Sequence, residues 1–272
     1  MLVWSGSGNG ALRVGTAGSL PLLTVPALAT SGIRVGFSGR LGGVSEGHLA
    51  GANLSFAVED DPESVEENRR RLARALGFDS GSLVLGRQVH GARVVEVGEV
   101  DRGAGSRDRH SAIPDTDALV TGVAGLPLGV LVADCLPLLL ADPVAGRVAA
   151  VHVGWRGLGA GVVEAAVERL TAGADPASVV AVLGPRIGPC CFEVGEQVMW
   201  EITDRYPLAR STSGAGRDAV DLGAGAIQAL ERLGVSHAVV SGECTRCESG
   251  RFFSYRADPL TGRQIGVVLL ER

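Results

Sequence analysis

The residues with chemistry to offer are soft ligands or nucleophiles set singly among apolar neighbours. They are His90 in Gln88-Val89-His90-Gly91, Cys135 in Ala133-Asp134-Cys135-Leu136-Pro137, and His152 in Ala150-Val151-His152-Val153-Gly154-Trp155-Arg156-Gly157. If they converge, two imidazoles and one thiolate make a three-ligand set for Zn²⁺ that leaves a further position for water or substrate. Such an ion lowers the pKa of its water toward about 7 and can polarise a substrate oxygen. The same Cys135 and His152 could instead serve as nucleophile and base. Their spacing matches no local zinc-finger pattern, so convergence is a question for the fold.

Strand alternation puts His152 on the face of Ala150 and Gly154, whose small side chains leave room beside an imidazole. A continued strand would put Cys135 with Ala133 and Pro137, and Asp134 on the opposite face. Arg156 follows the His152 strand at a helix start, a place suited to clamping an oxyanion or phosphate. The glycine-rich turn Gly39-Arg40-Leu41-Gly42-Gly43-Val44-Ser45 can likewise bring backbone N–H groups or Arg40 to an anion. Cys244-Thr245-Arg246-Cys247 is a C-x-x-C without a second pair, which reads as an incidental or weak structural metal contact. Adjacent Cys190 and Cys191 are not expected to aim at one point, and at least one reads as core packing. His48, His110 and His237 sit in polar or turn contexts and read as solvated.

The elements that must position these groups follow from local signals. Asp61-Pro62-Glu63 opens a helix with an N-cap, Pro at its first position and an acid in its first turn, and Gly77 ends it. Its apolar stripe is Val65, Leu72 and Leu76, so Arg69, Arg70, Arg71 and Arg74 read as a solvated face. Further helices are expected over 159–170, 193–206 and 221–233. Strands are expected over 33–38, 83–89, 93–97, 119–120, 128–133, 136–140, 148–153, 179–183, 238–241, 252–255 and 264–270, many of them short apolar runs between Gly, Pro and Asp. The polar stretch 98–114 is long enough for a lid or a disordered loop. Strands alternate with helices, but no G-x-G-x-x-G follows the first strand. The expected class is therefore α/β or α+β, a layered fold of packed mixed β-sheets flanked by helices, not a Rossmann domain. Residues 1–30 read as a flexible or weakly ordered start, and 31–272 as a single catalytic domain.

Composition narrows the partners. The chain has 272 residues, 46% of them hydrophobic, and a formal charge of −5. That balance speaks against a nucleic-acid or anionic-membrane surface and favours a small substrate. All 25 basic residues are Arg, so Schiff-base chemistry and a P-loop lysine are excluded, and any phosphate falls to Arg forks or backbone N–H groups. Five cysteines are too few and too odd in number for a secreted disulfide framework. Residues 20–30 are broken by Pro21 and Pro26 and do not read as a signal peptide, and 126–141 is too short and interrupted to span a bilayer. A cytoplasmic protein, monomeric or a small homo-oligomer, is the expectation.

At these motifs the sequence resembles the bacterial laccase-domain or YfiH-like proteins, first described as multicopper polyphenol oxidoreductases. The likeness runs from about Arg34 to the C-terminus. Besides the three stretches above it rests on the 37–45 turn, Asn53-Leu54-Ser55, Glu67-Asn68-Arg69, Gly184-Pro185-Arg186-Ile187-Gly188-Pro189-Cys190-Cys191-Phe192-Glu193-Val194-Gly195 and Phe252-Phe253-Ser254-Tyr255-Arg256. Gly39 departs from it, since relatives often have Thr there. The resemblance implies a metal site formed by His90, Cys135 and His152. It also implies phosphorolysis of adenosine, inosine and methylthioadenosine, with adenosine deamination as a companion activity. Zn²⁺ is the expected cofactor, with copper as the alternative, and the substrates are a purine nucleoside and phosphate. Arg40 and Arg156 are then the phosphate candidates, with Asn53 and Ser38 for sugar or phosphate.

Two rival readings stand beside this one. A copper-dependent phenol oxidase needs several copper sites, for which five His and two Met are few. A cysteine hydrolase or amidase, acting in peptidoglycan precursor editing, would use Cys135 and His152 directly.

Overall fold

The computed structural model describes residues 2–4, 13–15 and 20–271. Its strands and helices run β1 (Leu2–Trp4), β2 (Arg13–Gly15), β3 (Leu22–Thr24), α1 (Pro26–Ala29), β4 (Ile33–Ser38), α2 (Pro62–Leu76), β5 (Val84–Leu85), β6 (Val94–Glu96), β7 (Ala118–Thr121), β8 (Leu128–Val132), β9 (Leu136–Asp142) and β10 (Arg147–Val153). There follow α3 (Trp155–Gly159), α4 (Val162–Thr171), β11 (Val180–Leu183), α5 (Glu196–Thr203), β12 (Arg210–Thr212), β13 (Asp218–Val220), α6 (Leu222–Arg232), β14 (His237–Val240) and β15 (Gln264–Leu270).

Every residue of β9 is buried, the signature of a strand covered on both faces rather than one that alternates toward water. Leu136, Leu138 and Leu140 face a core shared with Val163, Val167 and Leu170 of α4 and Ala226 and Leu230 of α6. Leu139 and Ala141 face a different core, shared with Val35 and Phe37 of β4, Val130 of β8 and Val268 of β15. On the far side of those last strands, Ile265 and Val267 pack with Leu72 and Leu76 of α2. The molecule is thus four layers: helices, a seven-stranded sheet in the order β1-β14-β11-β9-β10-β7-β6, a six-stranded sheet in the order β2-β3-β4-β15-β8-β5, and α2. Both sheets are mixed: β11 runs parallel to β14 but antiparallel to β9, and β8 runs parallel to β5 but antiparallel to β15.

Helix α2 forms where its end signals place it. The Asp61 carboxylate accepts from the N–H groups of Glu63 and Ser64, and Gly77 closes the helix at φ 73°. Its arginines divide, however. Arg70 and Arg74 are exposed, but Arg69 is buried and donates to the carbonyls of Leu54, Gly105 and Ser106 at 2.7–2.9 Å. The expected solvated face therefore loses one member to the interior, and through it α2 holds part of the 98–114 stretch in place.

Other corrections have local causes. Residues 252–255 form no strand, because the Gln264 side chain occupies both the N–H and the carbonyl of Phe253. Gln88 does the same for β8, exchanging hydrogen bonds with the N–H and carbonyl of Leu131, so the expected strand over 83–89 stops at Leu85 and the chain turns away. The expected helix over 159–170 is split, with Gly161 at φ 87° between α3 and α4. The weakly ordered start lies partly outside the described residues. Within them, β3 pairs with β4, and Leu20, Leu22, Leu23, Val25 and Leu28 are buried, so the fold begins before residue 31. Among the described residues no helix is long and apolar enough to cross a membrane.

Candidate metal centre

The chain passes between the two sheets several times, and two of these crossings carry a ligand. Residues 86–93 leave β5 in the six-stranded sheet for β6 in the seven-stranded sheet, and His90 sits on this path. Residues 133–135 link β8 to β9, and Cys135 sits there. His152 lies on β10 opposite Pro137, on the face of Ala150 that looks toward the second sheet. Convergence is therefore a property of the sandwich end.

Residues 133–135 do not continue the strand, contrary to the alternation expected from the sequence. Asp134 has φ 92°, a left-handed conformation disfavoured for a side chain with a Cβ, and it is held by three bonds. Its carboxylate accepts from Thr245 Oγ1 at 2.6 Å and from the Arg256 N–H at 2.7 Å, and its carbonyl accepts from the Ile187 N–H at 2.9 Å. The reversal aims Cys135 at the two histidines.

Cys135 Sγ lies 3.7 Å from His90 Nε2, and the ligand atoms of His90, Cys135 and His152 all lie within 4.8 Å of one another. The two imidazole rings meet edge to face, with centroids 4.8 Å apart. Gly154 makes this possible: a Cβ there would stand 2.7 Å from His90 Cδ2 and 3.3 Å from Cys135 Sγ. The room expected beside the imidazole is real, and it is filled by the other two ligands.

Asp117, which the sequence reading passes over, organises the group. Its fully buried carboxylate accepts from the N–H groups of Val89, His90 and Gly91 at 2.8–3.1 Å, and its Oδ1 lies 2.8 Å from His152 Nδ1. Because an ionised carboxylate only accepts, His152 carries its proton on Nδ1 and turns Nε2 to the centre. The three backbone bonds hold the segment in which His90 takes φ 61°. Burial pushes the Asp117 carboxyl up, but the His152 bond and these N–H groups bring it below the usual range. The one available signal is position: an acid at the mouth of a wholly buried strand, β7, must find partners.

The charges are coupled. Burial raises the Cys135 thiol, but the charge of His152 and hydrogen bonds from both imidazoles outweigh it and bring the thiol to about 6. Burial lowers His152, yet the Cys135 thiolate and Asp117 lift it to about 9. A thiolate is thus available at neutral pH, as a ligand or as a nucleophile.

The donor set fits a soft or borderline divalent ion. A tetrahedral Zn²⁺ with bonds of about 2.3 Å to sulfur and about 2.1 Å to nitrogen separates those atoms by about 3.6 Å, close to the observed 3.7 Å. His152 also has the carboxylate partner that metal-binding histidines ordinarily keep. The only other gathering of His, Cys, Asp or Glu ligands among the described residues is a group of four cysteines, so no further histidine set suited to a copper cluster is present there.

The three ligands open onto a cavity of about 590 Å³, a volume typical of small-molecule sites. Six arginines line it, Arg69, Arg87, Arg109, Arg156, Arg256 and Arg263, against Asp134 as its only carboxylate, and Phe56, Trp155, Phe192 and Tyr255 add aromatic wall. Arg156 is where its position after β10 places it, stacked on Trp155 at 4.3 Å. The other sequence-derived binding candidates lie outside the cavity. Ser38 is buried and accepts from the Ile265 N–H; Arg40 donates to the carbonyls of Ser249 and Ala50; Asn53 is spent on Asp60, Ser55 and Arg263. In this structure their polar groups bond neighbouring loops instead of facing the cavity.

Comparison with known proteins agrees with this architecture. The chain is 46% identical over 242 residues to a purine nucleoside phosphorylase of Streptomyces coelicolor, covering 89% of this chain and 97% of that one. It is 36% identical over 251 residues to purine nucleoside phosphorylase YlmD of Geobacillus stearothermophilus, covering 88% and 90%. The crystal structure of YlmD superposes with a TM-score of 0.89 at 34% identity, over 97% of this chain and all of that chain. The YfiH protein of Bacillus licheniformis, titled hypothetical, gives 0.87 at 31% identity, over 95% and 99%. The family model described as multi-copper polyphenol oxidoreductase laccase matches residues 34–271. With both ligand-bearing crossings and all three ligands inside that span, the chain belongs to the multi-copper polyphenol oxidoreductase laccase family, the laccase-domain or YfiH-like proteins.

Proposed function

We propose that this protein is a zinc-dependent purine nucleoside phosphorylase acting on adenosine, inosine and methylthioadenosine, with adenosine deamination as a second activity. The observation that carries the reading is a thiolate–bis-imidazole set braced by Asp117 at the edge of a cavity lined with arginines and aromatic rings, in a chain whose relatives bear that phosphorylase name. His90, Cys135 and His152 hold the ion. When bound, Zn²⁺ supplies Lewis acidity toward an oxygen or nitrogen of the substrate.

The protein's own residues do the rest. Arg109 and Arg156 reach the cavity and form no ion pair among the described residues, so they are the forks for a phosphate dianion. Phe192, Tyr255 and Trp155 supply faces for the purine. In phosphorolysis a phosphate oxygen bonds to C1′ of the ribose as the glycosidic C–N bond breaks. The base leaves with that electron pair and takes a proton, giving free purine and ribose 1-phosphate. The arginines align the attacking phosphate, and the stacked base is held for departure.

The test is release of hypoxanthine from inosine by zinc-loaded protein, with and without phosphate, in air and under nitrogen. The expected outcome is release that requires phosphate, is indifferent to oxygen, and is lost in Cys135→Ala. Turnover that requires oxygen refutes the reading in favour of an oxidase. One observation favours a second reading: Cys135 at about 6 beside His152 at about 9 is the charge state of a cysteine nucleophile. In that case iodoacetamide inactivates zinc-loaded and zinc-free protein equally, and an acyl adduct on Cys135 is found by mass spectrometry.

A further inference from the structure

Away from the histidine centre, four thiols that are distant in sequence gather at one point. Cys190 and Cys191 sit on the turn after β11, and Cys244 and Cys247 on the turn after β14; the strands are parallel neighbours, so both turns emerge from the same end of the sheet. A parallel bridge between Arg186 and Cys244 continues that pairing, with the Thr245 N–H donating to the Arg186 carbonyl at 3.0 Å. All four sulfurs lie within 4.8 Å of one another, with Cys247 Sγ 3.4 Å from Cys191 Sγ and 3.6 Å from Cys190 Sγ. A tetrahedron of Zn–S bonds of about 2.3 Å has sulfur–sulfur edges of about 3.8 Å. The adjacent pair, not expected from sequence to aim at one point, does so because the chain turns tightly here: the N–H groups of Cys191 and Phe192 both reach the Gly188 carbonyl at 3.0 Å.

We propose that Cys190, Cys191, Cys244 and Cys247 form a second, structural Zn²⁺ site that pins the two turns together. A single disulfide would use two of these sulfurs and leave two idle, and two disulfides would make two separate pairs; a tetrahedral ion uses all four at one point. The surroundings supply what a four-thiolate ion requires. The Gly188 N–H points to Cys244 Sγ at 3.2 Å, a hydrogen bond to sulfur of the kind that tunes thiolate ligands. Gly188 itself could carry no side chain without crowding, since its Cβ would stand 3.2 Å from Cys190 Sγ and 3.5 Å from Cys244 Sγ. Cys191 and Cys244 are buried while Cys190 and Cys247 are exposed, so the ion has a route in and a closed inner side.

The site is connected to the histidine centre. Thr245, between the two cysteines of the C-x-x-C, donates to Asp134, whose left-handed backbone aims Cys135. Ile187 and Phe192, flanking the other pair, line the cavity. The second ion therefore acts on the chemistry only by positioning.

The test uses full-length protein purified under reducing conditions with zinc supplied. Cys135→Ala removes the only thiolate of the histidine centre, so its remaining metal reports on the cysteine group alone. The expected result is about one zinc per chain in Cys135→Ala and one more in the wild type. Replacing zinc by cobalt in Cys135→Ala should give intense thiolate-to-cobalt charge-transfer absorption and a tetrahedral visible spectrum. The double variant Cys244→Ser/Cys247→Ser loses that signal. Zinc-free Cys135→Ala with a native circular dichroism spectrum and no cobalt–thiolate band would overturn the site. So would bound iron in place of zinc, or a chain mass two hydrogens short that reveals a disulfide.

Discussion

Asp117 is the residue on which the centre most depends, although it touches neither metal nor cavity. Its carboxylate satisfies three consecutive backbone N–H groups around His90 and the imidazole of His152. Asp117→Asn preserves shape but removes the charge and turns an amide NH₂ toward groups that are all donors. The imidazole loses the partner that holds its tautomer. Outer-shell losses of this kind cost about 10–100-fold in metal affinity, and an unmade buried hydrogen bond costs about 1–3 kcal/mol. Zinc affinity measured by competition with a chromophoric chelator should fall within that range, with a lower Tm; unchanged affinity would show that the histidines hold their places without Asp117. Such a role is hard to see in sequence because it is spent on backbone groups of a segment far away in the chain. His90, Cys135 and His152 could be singled out by type, but the partner that makes them a centre could not.

Elements were legible wherever their signals are local. The cap, proline and terminal glycine of α2 lie within the helix they define, and the fully buried runs of β9, β10 and β15 need no partner to be recognised. Illegible were the places where a side chain substitutes for a strand, as Gln88 does beside β8 and Gln264 beside Phe253, and the place where a helix sends one arginine inward. Arg69 forms no ion pair among the described residues; it serves carbonyls on two segments and stacks over Phe56 at 4.6 Å. Arg69→Met strands those carbonyls and should destabilise by on the order of 3 kcal/mol, with the 98–114 stretch becoming the first site of limited proteolysis. KM should rise more than kcat falls, since Arg109 and Ala112 on that stretch line the cavity. Equal proteolysis of variant and wild type would disprove the tether. The junction of β10 and α3 makes the opposite case. Gly154 has φ −81°, open to any residue, so Gly154→Ala is penalised not by backbone strain but by the approach of its Cβ to His90 at 2.7 Å and to Cys135 Sγ at 3.3 Å. Overpacking costs about 1–3 kcal/mol, while an ångström of displacement in a reacting group costs on the order of 100-fold in rate. A variant nearly as stable as wild type but depleted in activity and metal is expected; full activity would mean that His90 can move freely.

For the whole molecule, the consequence of placing ligands on sheet crossings is thermodynamic linkage. His90 and Cys135 lie on two of the paths that join the sheets, and His152 lies on a central strand of the seven-stranded sheet, so one ion at this centre ties the six-stranded sheet to the seven-stranded one. The unfolded chain keeps none of that geometry, and an ion bound only by the native state stabilises it by about 2.7 kcal/mol at a hundred times its Kd and about 4.1 kcal/mol at a thousand times. For a chain of this size each kcal/mol moves Tm by about 2–4 °C. Thermal unfolding across a series of buffered zinc concentrations should therefore show Tm climbing by on the order of 10 °C in wild-type protein. In Cys135→Ala the climb should shrink, and what remains is the share of the four-cysteine group; in Cys135→Ala/Cys244→Ser/Cys247→Ser it should vanish. Because each layer packs against the next through a shared strand face, the transition should stay single as zinc is withdrawn instead of splitting into one for each sheet. Equal zinc dependence in wild type and Cys135→Ala would show that the histidine centre contributes nothing to holding the sheets together.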